Sequence, residues 1–174
     1  HLYITLKHNG AFSEGACSRH EQNQTVVLQY ERWCVYMAIY HCSAQVISRG
    51  KGRSAVAAGA YRSGTCLINE YDGVIHDFTK KRGVIYSEIM LPEHAPERFA
   101  DRSTLWNDIE LSERSNAQLA REYEFSIPLE LPREYWIPFA QKLLKDLFVD
   151  RGMIVDFAIH NKETSEKENP HIHV

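Results

Sequence analysis

The 174-residue sequence has 44% apolar, 11% aromatic and 25% charged residues, a composition that supports one sizeable core and excludes a disordered tail. Its 20 basic and 23 acidic residues give a net charge of −3, so any binding of nucleic acid must be local. The four cysteines form no C-x-x-C pair and no apolar run approaches the ~20 residues of a membrane span, so we expect a cytoplasmic protein with reduced thiols and no membrane span.

Residues 1–36 are expected to form a poorly structured N-terminal extension. The stretch from Asn9 to Thr25 is rich in Gly, Ser, Asn, Gln and Glu and has no apolar period. Regular patterns begin at Met37, a residue that could serve as a translation start. Residues 37–174 are therefore expected to hold one domain.

The elements expected in this domain alternate between strands and helices. In chain order they are a strand at 38–47, a helix at 55–61, strands at 73–78 and 83–91, a helix at 96–116, a strand at 121–127, a helix at 132–150 and strands at 153–160 and 171–174. Ser54 and Gly64 carry the cap signals of the first helix. The pattern predicts an α+β fold, with an antiparallel sheet and helices packed on one of its faces.

Three histidines are predicted to share one face of this sheet. On a strand, His171 and His173 point to the same side because successive side chains alternate. If that strand pairs with 153–160, His160 joins them. Three neutral imidazoles leave coordination positions open, which is typical of catalytic rather than structural metal sites.

Two glutamates support this interpretation. Glu122 and Glu124 lie on the polar side of the strand at 121–127, where a carboxylate could accept the free ring N–H of a metal-bound histidine. Nitrogen ligands favour manganese, cobalt, nickel or zinc by affinity. Cellular abundance favours magnesium or manganese, so we expect a divalent ion, magnesium or manganese in the cell, with zinc, cobalt or nickel as alternatives.

The most basic segment of the chain, 48–64, contains no acidic residue and includes Tyr61. Its cations are Arg49, Lys51, Arg53 and Arg62. Such a segment could hold a nucleic-acid backbone, which 80–82 could extend, or it could be a solvated loop with the tyrosine at the rim of the core. A metal in a cleft suits phosphodiester or peptide hydrolysis, and the absence of H-E-x-x-H argues against a metalloprotease.

Four blocks of the chain resemble the MobA/MobL relaxases of mobilisable and conjugative plasmids, part of the HUH endonuclease superfamily. The blocks are MAIYHCSA at 37–44, SRGKGRSAVAAGAYRSG at 48–64, REYEFSIP at 121–128 and NPHIHV at 169–174. They follow one another in order from Met37 to the C-terminus, whereas residues 1–36 have no counterpart. Four ordered blocks are far more specific than any one of them.

The resemblance implies an HUH-like fold and a metal-dependent, site- and strand-specific nickase that acts at a plasmid transfer origin. In this family a tyrosine attacks one DNA strand and stays joined to the 5′ phosphate, and Tyr61 stands at that position. The family's metal ligands correspond to His160, His171 and His173, and its supporting acids to Glu122, Glu124 and Glu130. The implied partners are single-stranded or supercoiled origin DNA, accessory relaxosome proteins and a coupling protein.

Three alternatives stay open. A rolling-circle replication initiator shares the histidines and a tyrosine, but its tyrosine normally follows the histidines, whereas Tyr61 precedes them. A metal-containing module could bind single-stranded DNA without cutting it. Finally, the chain stops one residue after His173, so we also expect a domain truncated at its C-terminal end, which could lack activity.

Overall fold

The computed structural model describes residues 41–161 and 168–174, and these residues build a five-stranded sheet, a two-stranded hairpin and three α-helices. The strands are β1 (Cys42–Ser48), β2 (Cys66–Ile68), β3 (Ile75–Asp77), β4 (Val84–Met90), β5 (Gln118–Ser126), β6 (Val155–His160) and β7 (His171–His173). The helices are α1 (Ala55–Ser63), α2 (Arg102–Ser112) and α3 (Trp136–Leu147). The extension predicted at 1–36 and the first residues of the strand predicted at 38–47 lie outside the described residues.

The large sheet has the strand order β1-β5-β7-β6-β4, and each neighbouring pair is antiparallel. The three-residue strand β7 therefore lies in the middle of the sheet, although it comes last in the chain. It pairs with β6, as predicted, and on its other side with β5. This pairing fixes which side chains of the three central strands share a face.

Helix α1 begins and ends at the cap residues that the sequence indicates. The Ser54 hydroxyl accepts a hydrogen bond from the Ala57 N–H at 3.2 Å. Gly64 ends the helix with a positive φ of 67°, and its own N–H donates to the Ala60 carbonyl. Both boundaries therefore arise from local chemistry.

Two glycines near α1 share the same left-handed backbone conformation. Gly52, with φ 69°, ends the short 3-10 helix Arg49–Lys51, and Gly64, with φ 67°, ends α1. A residue with a Cβ atom would be strained at either position. A glycine turn therefore lies on each side of α1.

Helix α2 is shorter than the helix predicted at 96–116. A separate 3-10 turn occupies Glu97–Ala100, and the chain then becomes extended at Asp101 before α2 starts. The Asp101 carboxylate accepts a hydrogen bond from the Thr104 N–H at 2.8 Å and so caps a new helix. The cap signal of Asp101 therefore overrides the longer helical pattern.

The helices cover both faces of the large sheet. The antiparallel α+β class is confirmed, but the expectation that the helices pack on one face holds for α1 and α2 and not for α3. The Trp106 indole of α2 donates to Asp156 on the face of the histidines at 2.8 Å. Phe148, which follows α3, packs on Tyr123 of the opposite face with ring centroids 5.1 Å apart. Both faces carry apolar side chains that need cover, so one layer of helices is not enough.

The core lies on both sides of the sheet. Beneath α3, the side chains of Phe125, Phe157 and Ile159 are at most 2% exposed. On the other face, Ile47 packs with Ala55 of α1 in a cluster that includes part of α2. Among the described residues, no helix has the length and apolar character needed to cross a membrane.

Candidate metal centre

The three predicted histidines converge on one face of the sheet. In the register of β6 and β7, His160 lies opposite His171 and Ala158 lies opposite His173, so all three imidazoles project from the same side. Their ring centroids are 4.6 to 5.6 Å apart. One ring nitrogen from each lies within 4.8 Å of the other two. We call these three residues the histidine cluster.

Main-chain carbonyls orient two rings of the histidine cluster. His160 Nε2–H donates to the Arg62 carbonyl at 2.6 Å, which leaves Nδ1 with its lone pair available. His171 Nδ1–H donates to the Asn169 carbonyl at 2.6 Å, which leaves Nε2 available. Each bond selects a neutral tautomer and fixes the ring plane, as carbonyl partners do for metal-bound histidines.

Burial keeps two of the imidazoles neutral. Loss of solvent lowers the pKa of His160 to about 4 and that of His173 to about 3, and nearby positive charges act in the same direction. Among the described residues, the buried Nδ1 of His173 has no hydrogen-bond partner, and Glu124 Oε2 lies 3.7 Å from it. Buried polar atoms rarely stay unpaired, so this nitrogen is suited to bind a ligand such as a metal ion.

The donor set fits a divalent transition metal. Two nitrogens bound to one ion at about 2.1 Å are at most about 4.2 Å apart, close to the spacing of the histidine cluster. Neutral imidazole is the form that binds metals, and three such ligands leave positions open for water or substrate. The residues present could therefore hold a metal with catalytic rather than structural coordination.

Tyr61 lies in the last turn of α1, one residue before the Arg62 carbonyl that contacts the histidine cluster. Its side chain is 49% exposed, its ring meets the Phe78 ring edge-on at 5.2 Å, and Lys81 Nζ lies 3.6 Å from the ring centroid. The next residue, Arg62, accepts the hydrogen bond from His160. The fold therefore brings the end of this helix to the histidines across almost a hundred residues of sequence.

The three candidate acids lie in different surroundings. Glu122 pairs with Arg53 at 2.8 Å and with Arg62. Burial alone would raise the pKa of Glu122, but the hydrogen bonds and charges of Arg62 and Arg53 outweigh it and lower that pKa. Glu124 faces the histidine cluster from β5. Glu130 is exposed in the turn after β5, beyond the residues that face the histidines. Glu124 is thus the acid nearest to the role predicted for it.

Most cations of the basic segment have partners within the protein. Arg49 pairs with the buried Glu110 at 3.0 Å and also donates to the main-chain carbonyls of Glu110 in α2 and of Glu113 just after this helix. Arg53 and Arg62 share Glu122, and Arg62 is only 7% exposed. Lys51 is exposed. The arginines therefore anchor α1 to the sheet and to α2, a role that the sequence did not indicate.

Two features of the site are not indicated by the sequence. The first is the pair of carbonyls from Arg62 and Asn169, which no side-chain pattern could reveal. The second is the contact of Lys81 with Tyr61. The sequence marked this lysine only as a member of a basic run, and its place beside the tyrosine depends on how β3 and β4 are connected.

Comparisons with known proteins agree on one family. The model of the MobA/MobL family matches residues 53–174. The chain is 43% identical over 129 residues to mobilization protein MobL of Acidithiobacillus ferridurans and 37% identical over 149 residues to conjugal transfer protein TraA of Rhizobium radiobacter. A solved structure titled "Molecular Basis of Vancomycin Resistance Transfer in Staphylococcus aureus" superposes with a TM-score of 0.69 at 34% identity.

The matches cover most of this chain and a smaller part of the curated relatives. They span 74% of the chain but 33% of MobL, and 79% of the chain but 13% of TraA. The structural match covers 78% of the chain and 68% of the solved chain. The chain thus corresponds to one part of much longer curated proteins.

Proposed function

The chain belongs to the MobA/MobL family of plasmid mobilisation relaxases, and from that premise we propose that it nicks one strand of DNA at a plasmid transfer origin. One observation carries the proposal. The histidine cluster is hydrogen-bonded, through the carbonyl of Arg62, to the helical turn that presents the exposed phenol of Tyr61. A nucleophile and a set of metal ligands are thus held by one connected group of residues.

In the proposed step, the phenolic oxygen of Tyr61 attacks the phosphorus of the scissile phosphodiester. A bond forms between that oxygen and phosphorus, and the bond from phosphorus to the 3′ oxygen breaks. The phenol gives up its proton and the departing 3′ oxygen takes one up, so one strand leaves with a 3′ hydroxyl. The other remains as a 5′-phosphotyrosyl ester, which a later 3′ hydroxyl can reverse without ATP.

The metal ligands in this proposal are His160, His171 and His173. A bound divalent ion supplies Lewis-acid stabilisation of the negative charge that gathers on the phosphate. We propose magnesium or manganese in the cell, with zinc, cobalt or nickel as alternatives that nitrogen ligands accept. Arg62 and Asn169 keep two of the rings oriented, and Glu124 lies beside the third.

DNA contacts are proposed for the exposed cations near Tyr61. Arg49 and Arg62 are paired and largely buried, so the backbone contacts of the basic segment fall to the exposed Lys51 and to Arg53, whose side chain is 37% exposed although it pairs with Glu122. The exposed residues at 80 and 82 extend this surface. Origin DNA, accessory relaxosome proteins and a coupling protein are the partners that we propose from family membership, at a cytoplasmic location.

The test captures the covalent intermediate. Denatured, fragmented DNA of the replicon that encodes this chain is incubated with the full chain and Mn²⁺, and protein–DNA adducts are isolated under denaturing conditions and sequenced. The wild type is expected to trap one strand at one junction. Tyr61→Phe should form no adduct but still bind an oligonucleotide that spans the junction, because it loses only the attacking oxygen.

Tyr71→Phe is the matched control, since Tyr71 is also an exposed tyrosine, at 52%, and should form adducts normally. Adduct formation by Tyr61→Phe would move the nucleophile to another residue. Binding of single-stranded DNA by the wild type, with no adduct at any Mn²⁺ concentration, would instead favour a module that binds DNA without cutting it.

A further inference from the structure

An exposed nucleophile needs to be held in place. The Tyr61 side chain is 49% exposed, so much of its ring lacks the close packing that fixes buried side chains. In the part of the chain that the structure describes, two contacts define its ring position: the edge of Phe78 at 5.2 Å and the ammonium of Lys81, 3.6 Å from the ring centroid. A cation above an aromatic face is attracted by the ring quadrupole.

Lys81 also holds the backbone of the same residue. Its Nζ donates a hydrogen bond to the Tyr61 carbonyl at 2.7 Å, so one ammonium contacts both the ring and the main chain. Lys81 and Phe78 belong to one tight turn, in which the Lys81 N–H donates to the Phe78 carbonyl at 2.9 Å. A single loop therefore supplies both ring contacts of Tyr61.

The same loop is tied to the strand that carries His160. The Asn161 N–H donates to the Gly83 carbonyl at 2.9 Å, directly after the histidine in sequence. The loop thus links the tyrosine to the histidine cluster independently of α1.

We propose that Lys81 is a positioning residue that holds the Tyr61 phenol ready for attack on DNA, an inference that rests on the proposed nicking activity. Lys80 and Arg82, its neighbours in the sequence, are exposed and are suited to backbone phosphates. Lys81 differs from them because its ammonium is directed at the tyrosine. Its loss should slow the attack and leave DNA affinity nearly unchanged.

The experiment separates rate from affinity. The substrate is the oligonucleotide that spans the junction identified by adduct sequencing, and the readouts are the single-turnover rate of adduct formation at saturating DNA and the Kd from fluorescence anisotropy. Lys81→Met should slow the rate by at least about tenfold, because a displacement near 1 Å can cost about a hundredfold. The Kd should change by less than about twofold.

The neighbouring lysine and arginine provide matched controls. Lys80→Met and Arg82→Met remove a positive charge from the same loop, so they should weaken DNA binding without slowing the saturated rate. Lys81→Arg should recover part of the rate, because a guanidinium also stacks on an aromatic ring. Mn²⁺ affinity, measured by calorimetry, should match the wild type for all four variants.

A Lys81→Met rate within twofold of the wild type, or a defect confined to Kd, would overturn the proposal while leaving the nickase intact. A wild type that forms no adduct would overturn both. Should Lys81→Met fail to fold, nuclear Overhauser contacts between the Lys81 side chain and the Tyr61 ring decide the question in the wild type. Their presence supports the positioning role and their absence refutes it.

Discussion

At the residue scale, the same side chain takes its properties from the atoms around it. His160 and His171 carry the same imidazole, but one is oriented through Nε2 by the Arg62 carbonyl and the other through Nδ1 by the Asn169 carbonyl. The nitrogens left with lone pairs are therefore different atoms of the ring. Each ring nevertheless presents one nitrogen to the centre of the cluster, and a nitrogen lone pair is what a metal ion binds.

Removing one imidazole should weaken binding of the proposed metal ion. His171→Ala is expected to weaken Mn²⁺ binding by about a hundredfold or more, since loss of even an outer partner of a ligand costs about ten- to a hundredfold. Isothermal titration calorimetry measures the change. His94→Ala, at an exposed histidine outside the cluster, is the control and should bind Mn²⁺ like the wild type. Unchanged affinity in His171→Ala would exclude this residue from the ligand set.

Burial of the histidines should make the metal-free protein sensitive to acid. In the unfolded chain these histidines take up protons near pH 6.5, whereas in the folded protein the pKa of His160 is lowered to about 4 and that of His173 to about 3. The unfolded state therefore binds more protons as the pH falls below 6.5, and the free energy of unfolding decreases between 6.5 and about 4.

Urea unfolding in EDTA at a series of pH values measures this loss. In the double variant His160→Gln/His173→Gln, the free energy of unfolding should depend less steeply on pH than in the wild type over that interval, because the two titrating groups are gone. Parallel curves for the two proteins would mean that these histidines are not the groups responsible.

At the element scale, α1 and α2 approach closely because Gly59 has no side chain. A Cβ atom at this position would lie 2.6 Å from the Trp106 ring, a distance that real contacts do not tolerate. Trp106 cannot move aside freely, since its indole donates to Asp156 of β6. The glycine thus lets α2 reach the sheet beside the helix that carries Tyr61.

Gly59→Ala should destabilise the protein although alanine favours helix. The better helix propensity contributes about 1 kcal/mol, but overpacking against Trp106 costs about 1–3 kcal/mol. We expect a net decrease in the free energy of unfolding, measured by urea titration with tryptophan fluorescence. Gly50→Ala is the control, because no atom lies within 4 Å of its would-be Cβ. A Gly59→Ala protein more stable than the wild type would contradict the close packing.

At the scale of the whole molecule, the short strand β7 joins the two halves of the large sheet. Its central residue, Ile172, is fully buried and lies between Phe125 of β5 and Ile159 of β6 in the strand register. The flanking histidines project to the opposite face because side chains alternate along a strand. The core contact of one residue therefore fixes the position of two of the proposed metal ligands.

Ile172→Ala should destabilise the whole domain and weaken metal binding as well. Truncation of a fully buried isoleucine costs about 2–5 kcal/mol, measurable by urea unfolding. Mn²⁺ affinity should fall because β7 is held less firmly between its neighbours. The control is Val174→Ala, at a half-buried residue just after the strand, which should cost less. Loss of stability with full retention of metal affinity would show that the histidines are positioned independently of this core contact.

Local patterns were enough to predict several elements of the fold. Ser54 and Gly64 marked the ends of α1, and alternation placed His171 and His173 on one side of a strand, because caps and strand periodicity depend on neighbouring residues alone. The helix at 96–116 was predicted too long for a related reason. Asp101 carries a competing cap signal within the helical pattern, and the structure divides the segment there.

The sequence by itself determined the family, the α+β class and the residue types of the candidate site, since these follow from ordered blocks and local periodicity. Only the tertiary structure decided which charges face each other. It joined Arg62 to Glu122 and placed Lys81 on Tyr61, across 60 and 20 residues of chain. The physical reason is that such partners are chosen by strand order and loop closure, which bring together groups whose spacing in the sequence carries no signal.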